Sequence, residues 1–400
     1  MTDLNQIHAQ MTEWRRDFHR HPEFGFEESR TAAIVAEKLR GYGVEVATGI
    51  GGTGVVGTLK RGTSNRAIAL RADMDALRIP EATGKDYASV NSGVMHACGH
   101  DGHVSMLLGA AKMLAEQGGF DGTIRFIFQP AEEWGKGALA MLNDGLMSRF
   151  PFDEIYGIHN MPGYAVGQFR TKSGAFMSAE DNFEIILKGT GGHASRPDTT
   201  REVLVAACAT VINLQTIVAR RLSPTDIAVV SVTELLTDGV RNALPGTARI
   251  LGDTRSFRAE VSAEIEKQMH IIARGTADTY NLDVEIIYTR EFIPTVNDAV
   301  LTSEALSAAQ AIFGAENTAE LDAPVGGSED FAQLLQHAPG CFVNLGNGEN
   351  SAPLHNPTYD FNDAGLIHGA LFHATIARRR LPVIRRGAGQ EETAATQRPS

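Results

Sequence analysis

Apolar residues along the chain form two alternating patterns, short continuous runs and longer stretches with helical spacing. The continuous runs predict buried strands, and the helical spacing predicts amphipathic helices between them. The predicted strands are 55–59, 67–71, 123–128 and 154–158, and the predicted helices are 4–40 (interrupted at Pro22 and Gly25), 104–117 and 138–144. Strands that alternate with helices favour an α/β layer architecture with a largely parallel sheet.

The pattern changes near residue 180, and the α/β alternation of strands and helices resumes after Pro294. Between these points the order strand, helix, strand, strand, helix, strand predicts a compact α+β domain. Its predicted elements are 182–188, 201–220, 227–235, 247–257, 261–278 and 282–289, followed by helices at 300–313 and 328–337 and a strand at 341–345. We therefore expect a large α/β domain, residues 1–178 and 296–384, into which an α+β domain at 179–295 is inserted.

Composition places the chain among ordinary globular proteins, because 43% of its residues are hydrophobic and 21% are charged. A length of 400 residues is enough for two or three domains with a large core. The net charge of −12 argues against nucleic acid and an anionic membrane surface as partners. The polar segment 385–400 contains few apolar residues and is predicted to be disordered.

Two further features bear on the compartment. No apolar run approaches the length of about 18 residues that a membrane span needs, and the N-terminal segment lacks the apolar core of a signal peptide. The three cysteines are too few for a disulfide framework. We expect a protein of the reducing cytoplasm without a membrane association.

Residues 95–103 contain three histidines, a cysteine and an aspartate. Thiolate and imidazole are preferred ligands of zinc and related divalent metals, so Cys98 and His100, with His103 nearby, predict a metal site. Helical spacing begins at residue 104, which places the cluster on a loop at the start of a helix, with Asp101 as a helix cap. The alternative is a buried thiol beside a helix-capping loop.

Glu132 and Glu133 follow the predicted strand 123–128. Side chains of adjacent residues diverge, so one glutamate can bind metal while the other transfers protons. The alternative is a solvated acidic pair at a helix N-terminus. His159 follows another strand, and His355 lies in a turn-rich loop. Either histidine could be structural; with Cys98, His100 and Glu133 they make five ligands, enough for two metals that share one ligand.

Other polar residues leave their roles open. Asp73 and Asp75 follow the strand 67–71 and could be ligands, turn residues, or carboxylates that orient a ligating histidine. His193 lies in the glycine-rich segment 189–197, where spacing alone favours an exposed histidine on a hairpin-end loop. His19 and His21 end a charged helix, and we expect structural roles for them.

Seven motifs together resemble the M20 metallopeptidases, and within them the amidohydrolase branch of hippurate hydrolases and N-acyl-amino-acid hydrolases. The motifs are residues 15–23, 70–77, 95–103, 129–133, 189–197, 326–331 and 354–357. This resemblance implies a zinc-exopeptidase-like catalytic domain with an inserted ferredoxin-like lid. It also implies two divalent metal ions, whose identity among Zn, Mn, Ni and Co stays open, and a homodimer or higher homo-oligomer.

The resemblance also implies a role for each matching residue. Cys98 would bridge the two ions, His100 and His159 would complete one site, and Glu133 and His355 would complete the other. Glu132 matches the general base, with Asp75 outside the ligand shell. Other M20 peptidases have a histidine ligand at the position of Asp73, which His100 would replace here.

On the lid, the resemblance implies three further residues. His193 matches a histidine that polarises the scissile carbonyl, often across a dimer. Asn242 and Arg255 stand where the family holds substrate-binding residues, and the arginine fork suits a carboxylate. The alternative for Arg255 is a surface ion pair with Asp253 or another acid.

The expected function is metal-dependent cleavage of an N-acyl amino acid to a carboxylic acid and a free amino acid. Three alternatives stay open at this point. One is a metal-free thiol hydrolase with Cys98 as nucleophile and His100 as base. Another is a metal-binding or storage protein without chemistry, which leaves Glu132 without a role. The third is a dipeptidase or carboxypeptidase of the same family.

Overall fold

The computed structural model of the chain describes residues 3–383, so the predicted disordered segment 385–400 lies outside the described residues. The first part of the chain forms most of a large α/β layer. Its elements are α1 (Leu4–Arg20), α2 (Ser29–Gly41), β1 (Glu45–Ile50), β2 (Gly54–Arg61), β3 (Ala67–Asp73), α3 (His100–Gln117), β4 (Gly122–Gln129), α4 (Gly137–Asn143), α5 (Leu146–Arg149), β5 (Glu154–Pro162), β6 (Phe169–Thr171) and β7 (Gly174–Met177). The helical pattern of residues 4–40 is therefore two helices, separated at the predicted interruption.

The middle of the chain forms a second unit, which we call the lid (residues 179–292). Its elements are β8 (Ala179–Lys188), β9 (Gly192–His193), α6 (Val203–Leu214), β10 (Ala228–Thr237), β11 (Ala243–Leu244), β12 (Thr247–Ser256), α7 (Ala259–Thr279) and β13 (Asp283–Phe292). The predicted helix 201–220 ends earlier than expected, because a π-helical turn at Ile217–Arg221 follows α6.

The last part of the chain returns to the large layer and completes its sheet. Its elements are β14 (Thr295–Asn297), α8 (Ala299–Phe313), β15 (Thr318–Glu320), α9 (Phe331–Leu335), β16 (Gly340–Gly348) and α10 (Leu366–Arg380). The predicted helix 328–337 is shorter in the structure, and the predicted strand 341–345 is longer.

The large sheet has eight strands in the order β1-β2-β4-β3-β5-β16-β6-β15. The four central strands, β4, β3, β5 and β16, are mutually parallel, whereas β1, β2 and the β6–β16 pair add antiparallel neighbours. Strand β3 is buried from Ile68 to Asp73, as a strand covered on both faces must be. Apolar clusters on the two faces join the sheet to α1, α3 and α10 on one side and to α4 and α9 on the other.

The lid is a separate antiparallel sheet with the order β13-β8-β12-β10. In chain order this is strand, helix, strand, strand, helix, strand, the ferredoxin-like arrangement. Alternate residues of β12 are buried, among them Ala248 and Ile250, which pack with residues of α6 and α7 in one apolar cluster. The expected fold class, an α/β domain with an inserted α+β lid, is confirmed.

Candidate metal centre

The polar residues predicted from strand ends meet at one edge of the large sheet. Asp73 ends β3, Glu132 and Glu133 follow β4, and His159 lies on β5, the neighbour of β3. These strands are parallel, so their carboxyl ends share the edge where ligand sites of open α/β sheets form. The start of α3 brings His100 to the same edge.

Helix α3 begins at His100, four residues earlier than predicted. Only Cys98 therefore lies on the preceding loop, and His100 is the first helical residue. Between them, Gly99 has φ 91°, and a Cβ atom there would lie 2.1 Å from Oδ1 of Asn160. Glycine alone fits this turn, which directs Cys98 and His100 toward one point.

His100 and His159 are each oriented by a hydrogen bond at the Nδ1 atom. The Nδ1 atom of His100 lies 3.2 Å from Oδ1 of Asp75, which leaves Nε2 facing carboxylate oxygens of Glu132 and Glu133, both at 3.9 Å. The Nδ1 atom of His159 lies 2.6 Å from the carbonyl oxygen of Asn160. Its Nε2 atom is then 3.4 Å from Sγ of Cys98. Such partners fix the tautomer of a metal-ligating histidine.

The two glutamates diverge, as their adjacency predicts. Ala131 has the left-handed backbone φ 46°, and a 3-10 turn, Glu132–Trp134, follows it. The Oε2 atom of Glu133 lies 3.4 Å from Nε2 of His355. Glu132 instead lies between His100 and a buried acidic pair, Glu329 and Asp330.

The side chains fit two divalent ions that share Cys98. One group consists of Cys98, His100 and His159, the other of Cys98, Glu133 and His355, and the ligand atoms within each group lie within 4.8 Å of one another. Two ligands of a tetrahedral ion at normal bond lengths are about 3.3–3.8 Å apart, close to the separations above. Nε2 of His100 and Oε1 of Glu133 are buried and have no hydrogen-bond partner among residues 3–383, as expected for atoms that face an ion.

Surplus negative charge dominates the electrostatics of the centre. Burial raises the pKa of Glu132 well above its ordinary value, and the charges of Glu329, Glu133 and Asp330 add to this rise. Burial alone would lower the pKa of His100, but Asp73 and Asp75 raise it to about 10. The buried Arg71 guanidinium offsets part of this charge through contacts with Asp73, Glu329 and Asp330. Divalent cations would neutralise the rest.

His103 lies in the cysteine–histidine segment but outside the five expected ligands, and its Nδ1 lies 2.6 Å from Asp73 while its Nε2 lies 2.7 Å from Oδ1 of Asn160. One expectation for this segment is wrong. Asp101 does not cap α3 at the N-cap position, which is occupied by Gly99 without a side-chain bond. Its Oδ2 atom instead lies 2.8 Å from Nδ1 of His19, a buried histidine with a structural role.

A cavity of about 430 Å³ connects the centre to the lid. Cys98, Glu132, Glu133, His159 and His355 line its base, and Glu180, Arg255, Phe292, Ser328, Met161, Met177, Gly327 and Leu354 line the rest. Ser328 lies in the motif 326–331, to which the sequence assigns no role at this residue, whereas Glu180 and Phe292 are not predicted from the sequence, since no local pattern marks them. They reach the cavity only through the packing of the lid on the large domain.

Arg255 lies where it could bind substrate and also forms ion pairs within the lid, the two roles expected for it. It lines the cavity, yet its Nε donates to Asp253 at 2.9 Å, and its Nη1 lies 2.7 Å from Glu180 and 2.9 Å from the Ser328 hydroxyl. The guanidinium therefore faces the reaction space and is already held by two lid carboxylates.

His193 and Asn242 lie together on the lid but do not line this cavity. His193 pairs with Ala243 between β9 and β11, and the carbonyl oxygen of Asn242 accepts from the amide of Ala194 at 3.1 Å. The exposed His193 ring accepts from the Ser195 hydroxyl at 2.8 Å. A single chain thus does not bring either residue to the metal centre.

The fold and the centre define a class of enzyme, metal-dependent hydrolases with a buried acid beside paired metal ligands under a lid. Residues 69–379 match peptidase family M20/M25/M40, and the chain belongs to this family. It is 38% identical to hippurate hydrolase of Campylobacter jejuni, over 95% of this chain and 98% of that protein. The protein is a metal-dependent amidohydrolase.

Two other similarities inform the site. The chain is 36% identical to thermostable carboxypeptidase 1 of Saccharolobus solfataricus, over 94% of this chain and 96% of that protein. A solved structure of a dinuclear metal-binding peptidase of family M20 from Bacillus subtilis has a TM-score of 0.83 and 31% identity, with 94% of this chain and 99% of that chain covered. Within residues 3–383, no helix is both long and apolar enough to cross a bilayer.

Proposed function

We propose that the protein hydrolyses the amide bond of N-acyl amino acids, of the benzoyl and acetyl type, to a carboxylic acid and a free amino acid. The observation that carries this proposal is the cavity that Glu132 and Arg255 share. An N-acyl amino acid has an amide to cleave and a free carboxylate, and the guanidinium fork suits that carboxylate. The similarity to hippurate hydrolase supports the same substrate class.

Glu132 is the proposed general base and acid. It accepts a proton from the attacking water and then delivers that proton to the nitrogen of the leaving amine. Its burial and acidic neighbours raise the pKa of Glu132, which favours the protonated carboxyl between these two transfers. Bound divalent ions would supply Lewis acidity to the carbonyl and lower the pKa of the water.

We assign the metal ligands and their orienting groups as follows. Cys98 is shared, His100 and His159 complete one site, and Glu133 and His355 complete the other. Asp75 orients both halves of the centre, because Oδ1 lies 3.2 Å from His100 and Oδ2 accepts from the Glu133 amide at 3.1 Å. The metal is one of Zn, Mn, Ni or Co.

A metal-free thiol mechanism does not suit these surroundings. Burial and the charges of Glu133, Glu132 and Asp73 hold the pKa of the Cys98 thiol well above its ordinary value. A thiol nucleophile needs surroundings that favour the thiolate, and the net effect of burial and of the acidic groups around Cys98 is the opposite, even with His100 nearby. Cys98 instead faces the carboxylates that suit a shared metal ligand.

We propose a homodimer in which His193 and Asn242 of one chain serve the cavity of the other. Apolar side chains are exposed on α6 and on β10, one of the two edge strands of the lid sheet, namely Leu204, Val205, Ile212, Val229, Leu235 and Leu236. An exposed apolar patch with an unpaired strand edge favours association with a second copy. The three cysteines are unpaired, which fits the proposed cytoplasmic location.

A second candidate is a carboxypeptidase or dipeptidase, favoured by the similarity to the thermostable carboxypeptidase. Both candidates use the same cavity, since a dipeptide also has an amide and a terminal carboxylate. They differ at the other end, because a dipeptide carries an amino group where an N-acyl amino acid has none.

A substrate panel separates the two candidates. The purified protein, supplied in turn with Mn²⁺, Zn²⁺, Co²⁺ and Ni²⁺, is offered N-acetyl, N-benzoyl and indole-acetyl amino acids beside dipeptides, and released amino acid is measured. We expect a higher kcat/KM for N-acyl amino acids. Turnover of dipeptides without turnover of any N-acyl amino acid would overturn the proposal in favour of the peptidase.

A further inference from the structure

The break between α1 and α2 contacts the turn that carries the two glutamates. We call residues 23–28 the brace loop. The carboxylate of Glu28, at its end, accepts a hydrogen bond from the amide of Ala131 at 2.9 Å. Earlier in the loop, the Phe24 ring meets the Trp134 ring edge to face, with the ring centroids 4.9 Å apart. The brace loop thus holds the glutamate turn from both ends.

Ala131 has an unfavourable backbone conformation that the brace loop supports. Its φ of 46° and ψ of 45° lie in the left-handed region, which is unfavourable for an L-residue because Cβ lies too close to the following carbonyl oxygen. This conformation turns the chain from β4 into the 3-10 turn, so it sets the directions of Glu132 and Glu133. Gly25 passes close by, since a Cβ atom there would lie 3.1 Å from Cβ of Ala131. Strained residues persist where surrounding contacts fix them.

The brace loop also fixes the carboxylate that orients the centre. Phe24 forms a parallel bridge with Ala76, whose amide donates to the carbonyl oxygen of Glu23 at 2.8 Å. The neighbouring Asp75 in turn accepts from the amide of Glu133. One segment therefore holds both the glutamate turn and the residue that orients His100.

Glu28 is an unusual residue for this position. Its side chain is fully buried, and within residues 3–383 its carboxylate accepts from the Ala131 amide and the Thr53 hydroxyl rather than from a cation. Its second oxygen accepts from the Thr53 hydroxyl at 2.5 Å. Burial raises the pKa of Glu28 to about 7 against the effect of these hydrogen bonds. Burying a carboxyl group without a cation is unfavourable. The hydrogen bond from the Ala131 amide to Glu28 therefore indicates a role for this carboxyl group in the turn.

We propose that Glu28 is a positioning residue, which aims Glu132 and Glu133 into the metal centre by holding Ala131 in its left-handed conformation. The proposal rests on the roles given above to the two glutamates. Within residues 3–383, Glu28 does not line the cavity and has no hydrogen bond to a proposed metal ligand, so it acts through the Ala131 amide. The match to the family begins at residue 69, so residues 24–28 of the brace loop lie outside both the matched segment and the motif 15–23.

The test compares Glu28→Met with Glu28→Gln. Methionine has a similar length but only a weak sulfur acceptor, whereas the glutamine amide oxygen can still accept from Ala131. We expect Glu28→Met to lower kcat by about 10–100-fold with little change in KM, as misplaced catalytic groups do. Glu28→Gln should restore most of kcat. Thr53→Val is the matched control, because it removes the other hydrogen bond of Glu28 and leaves the bond to Ala131.

Two further measurements do not depend on the choice of substrate. Hydrogen exchange of the segment 129–135 should be faster in Glu28→Met than in the wild type and in Glu28→Gln. Adding Ala131→Gly to Glu28→Met should recover part of kcat, because glycine adopts a left-handed conformation without the steric cost. If Glu28→Met does not fold, Glu28→Asp, which is one methylene too short to keep both bonds, takes its place.

Two results would overturn the proposed role of Glu28. Equal kcat losses in Glu28→Met and Glu28→Gln would show that the charge matters rather than the bond to Ala131, and would overturn the proposal. Unchanged kcat in folded Glu28→Met would overturn it as well. If the wild type hydrolyses only dipeptides, the proposed substrate class fails, and the Glu28 comparison is read on dipeptides instead.

Discussion

His355 faces Glu133 across the base of the cavity, with Nε2 of the histidine 3.4 Å from Oε2 of the glutamate. His355 has the left-handed φ of 63°, and its amide donates to the carbonyl oxygen of Ala97 at 2.8 Å. The loop that carries His355 is therefore fastened beside Cys98, and a strained backbone turns the ring toward the glutamate. This pairing separates the role of Glu133 from that of Glu132.

Replacing Glu132 by glutamine and replacing Glu133 by glutamine should have different effects. Glu132→Gln should retain the bound metal and substrate but lower kcat by about 10²–10⁴-fold, the usual contribution of a general acid–base group. Glu133→Gln should weaken metal binding, because it removes a charged ligand beside His355. Elemental analysis and steady-state kinetics check both. Metal loss in Glu132→Gln with metal retained in Glu133→Gln would reverse the assignment.

Arg255→Ala should discriminate between charged and neutral substrates. If the guanidinium holds the substrate carboxylate, the variant should raise KM strongly for N-acyl amino acids and much less for their amides, which lack the charge. Arg249→Ala is the matched control, since Arg249 lies on the same strand, pairs with Glu184 and does not line the cavity. Equal losses on acids and amides would make Arg255 a structural partner of Glu180 and Asp253.

His193 does not line the cavity of its own chain, and the proposed homodimer therefore predicts complementation between inactive variants. His193→Ala and Glu132→Gln chains, each inactive alone, should regain part of the activity when they are refolded together. The mixed dimer then has one intact centre, which receives its histidine from the other chain. Glu132→Gln mixed with Glu133→Gln should show no recovery. Absence of recovery in the first mixture, with mixed dimers demonstrated by mass spectrometry, would contradict action across a dimer.

His19 predicts a specific pH dependence of stability. Burial would lower its pKa, but hydrogen bonds to Asp101 and Glu81 raise it from 6.5 to about 9. The pKa of His19 is higher in the folded protein than in the unfolded chain, so folding is stabilised by the protonated ring. This stabilisation is complete below pH 6.5 and is lost as the pH rises through about 9. For chelator-treated protein, the free energy of unfolding in urea should fall across this interval, and less so in His19→Gln. Equal decreases in both proteins would contradict the shift.

The main architecture was predictable because it depends on local patterns. Continuous apolar runs identify strands buried on both faces, and the positions of Asp73, Glu132 and His159 at one sheet edge follow from parallel pairing. Strand β1 was missed because its residues are mostly exposed or half-buried, so no apolar run marks it.

The rest of the site depends on contacts between distant segments. Helix α3 begins early because its polar first turn is buried by Asp73, Asp75 and Asn160, which lie far away in sequence. The pairing of Glu180 with Arg255 joins two lid strands that are sequentially remote. Local spacing contains no information on such partners, and it contains none on a second chain.

The most direct test of a two-metal amidohydrolase is a metal titration of the chelator-treated protein, with hydrolysis of N-benzoyl and N-acetyl amino acids as the readout. We predict that chelation abolishes hydrolysis and that added Zn²⁺ or Mn²⁺ restores it, with a plateau at two ions per chain. Cys98→Ala should neither bind two ions nor recover, because it lacks the shared ligand. Full activity in the metal-free wild type, as a Cys98 thiol nucleophile would give, would contradict the assignment.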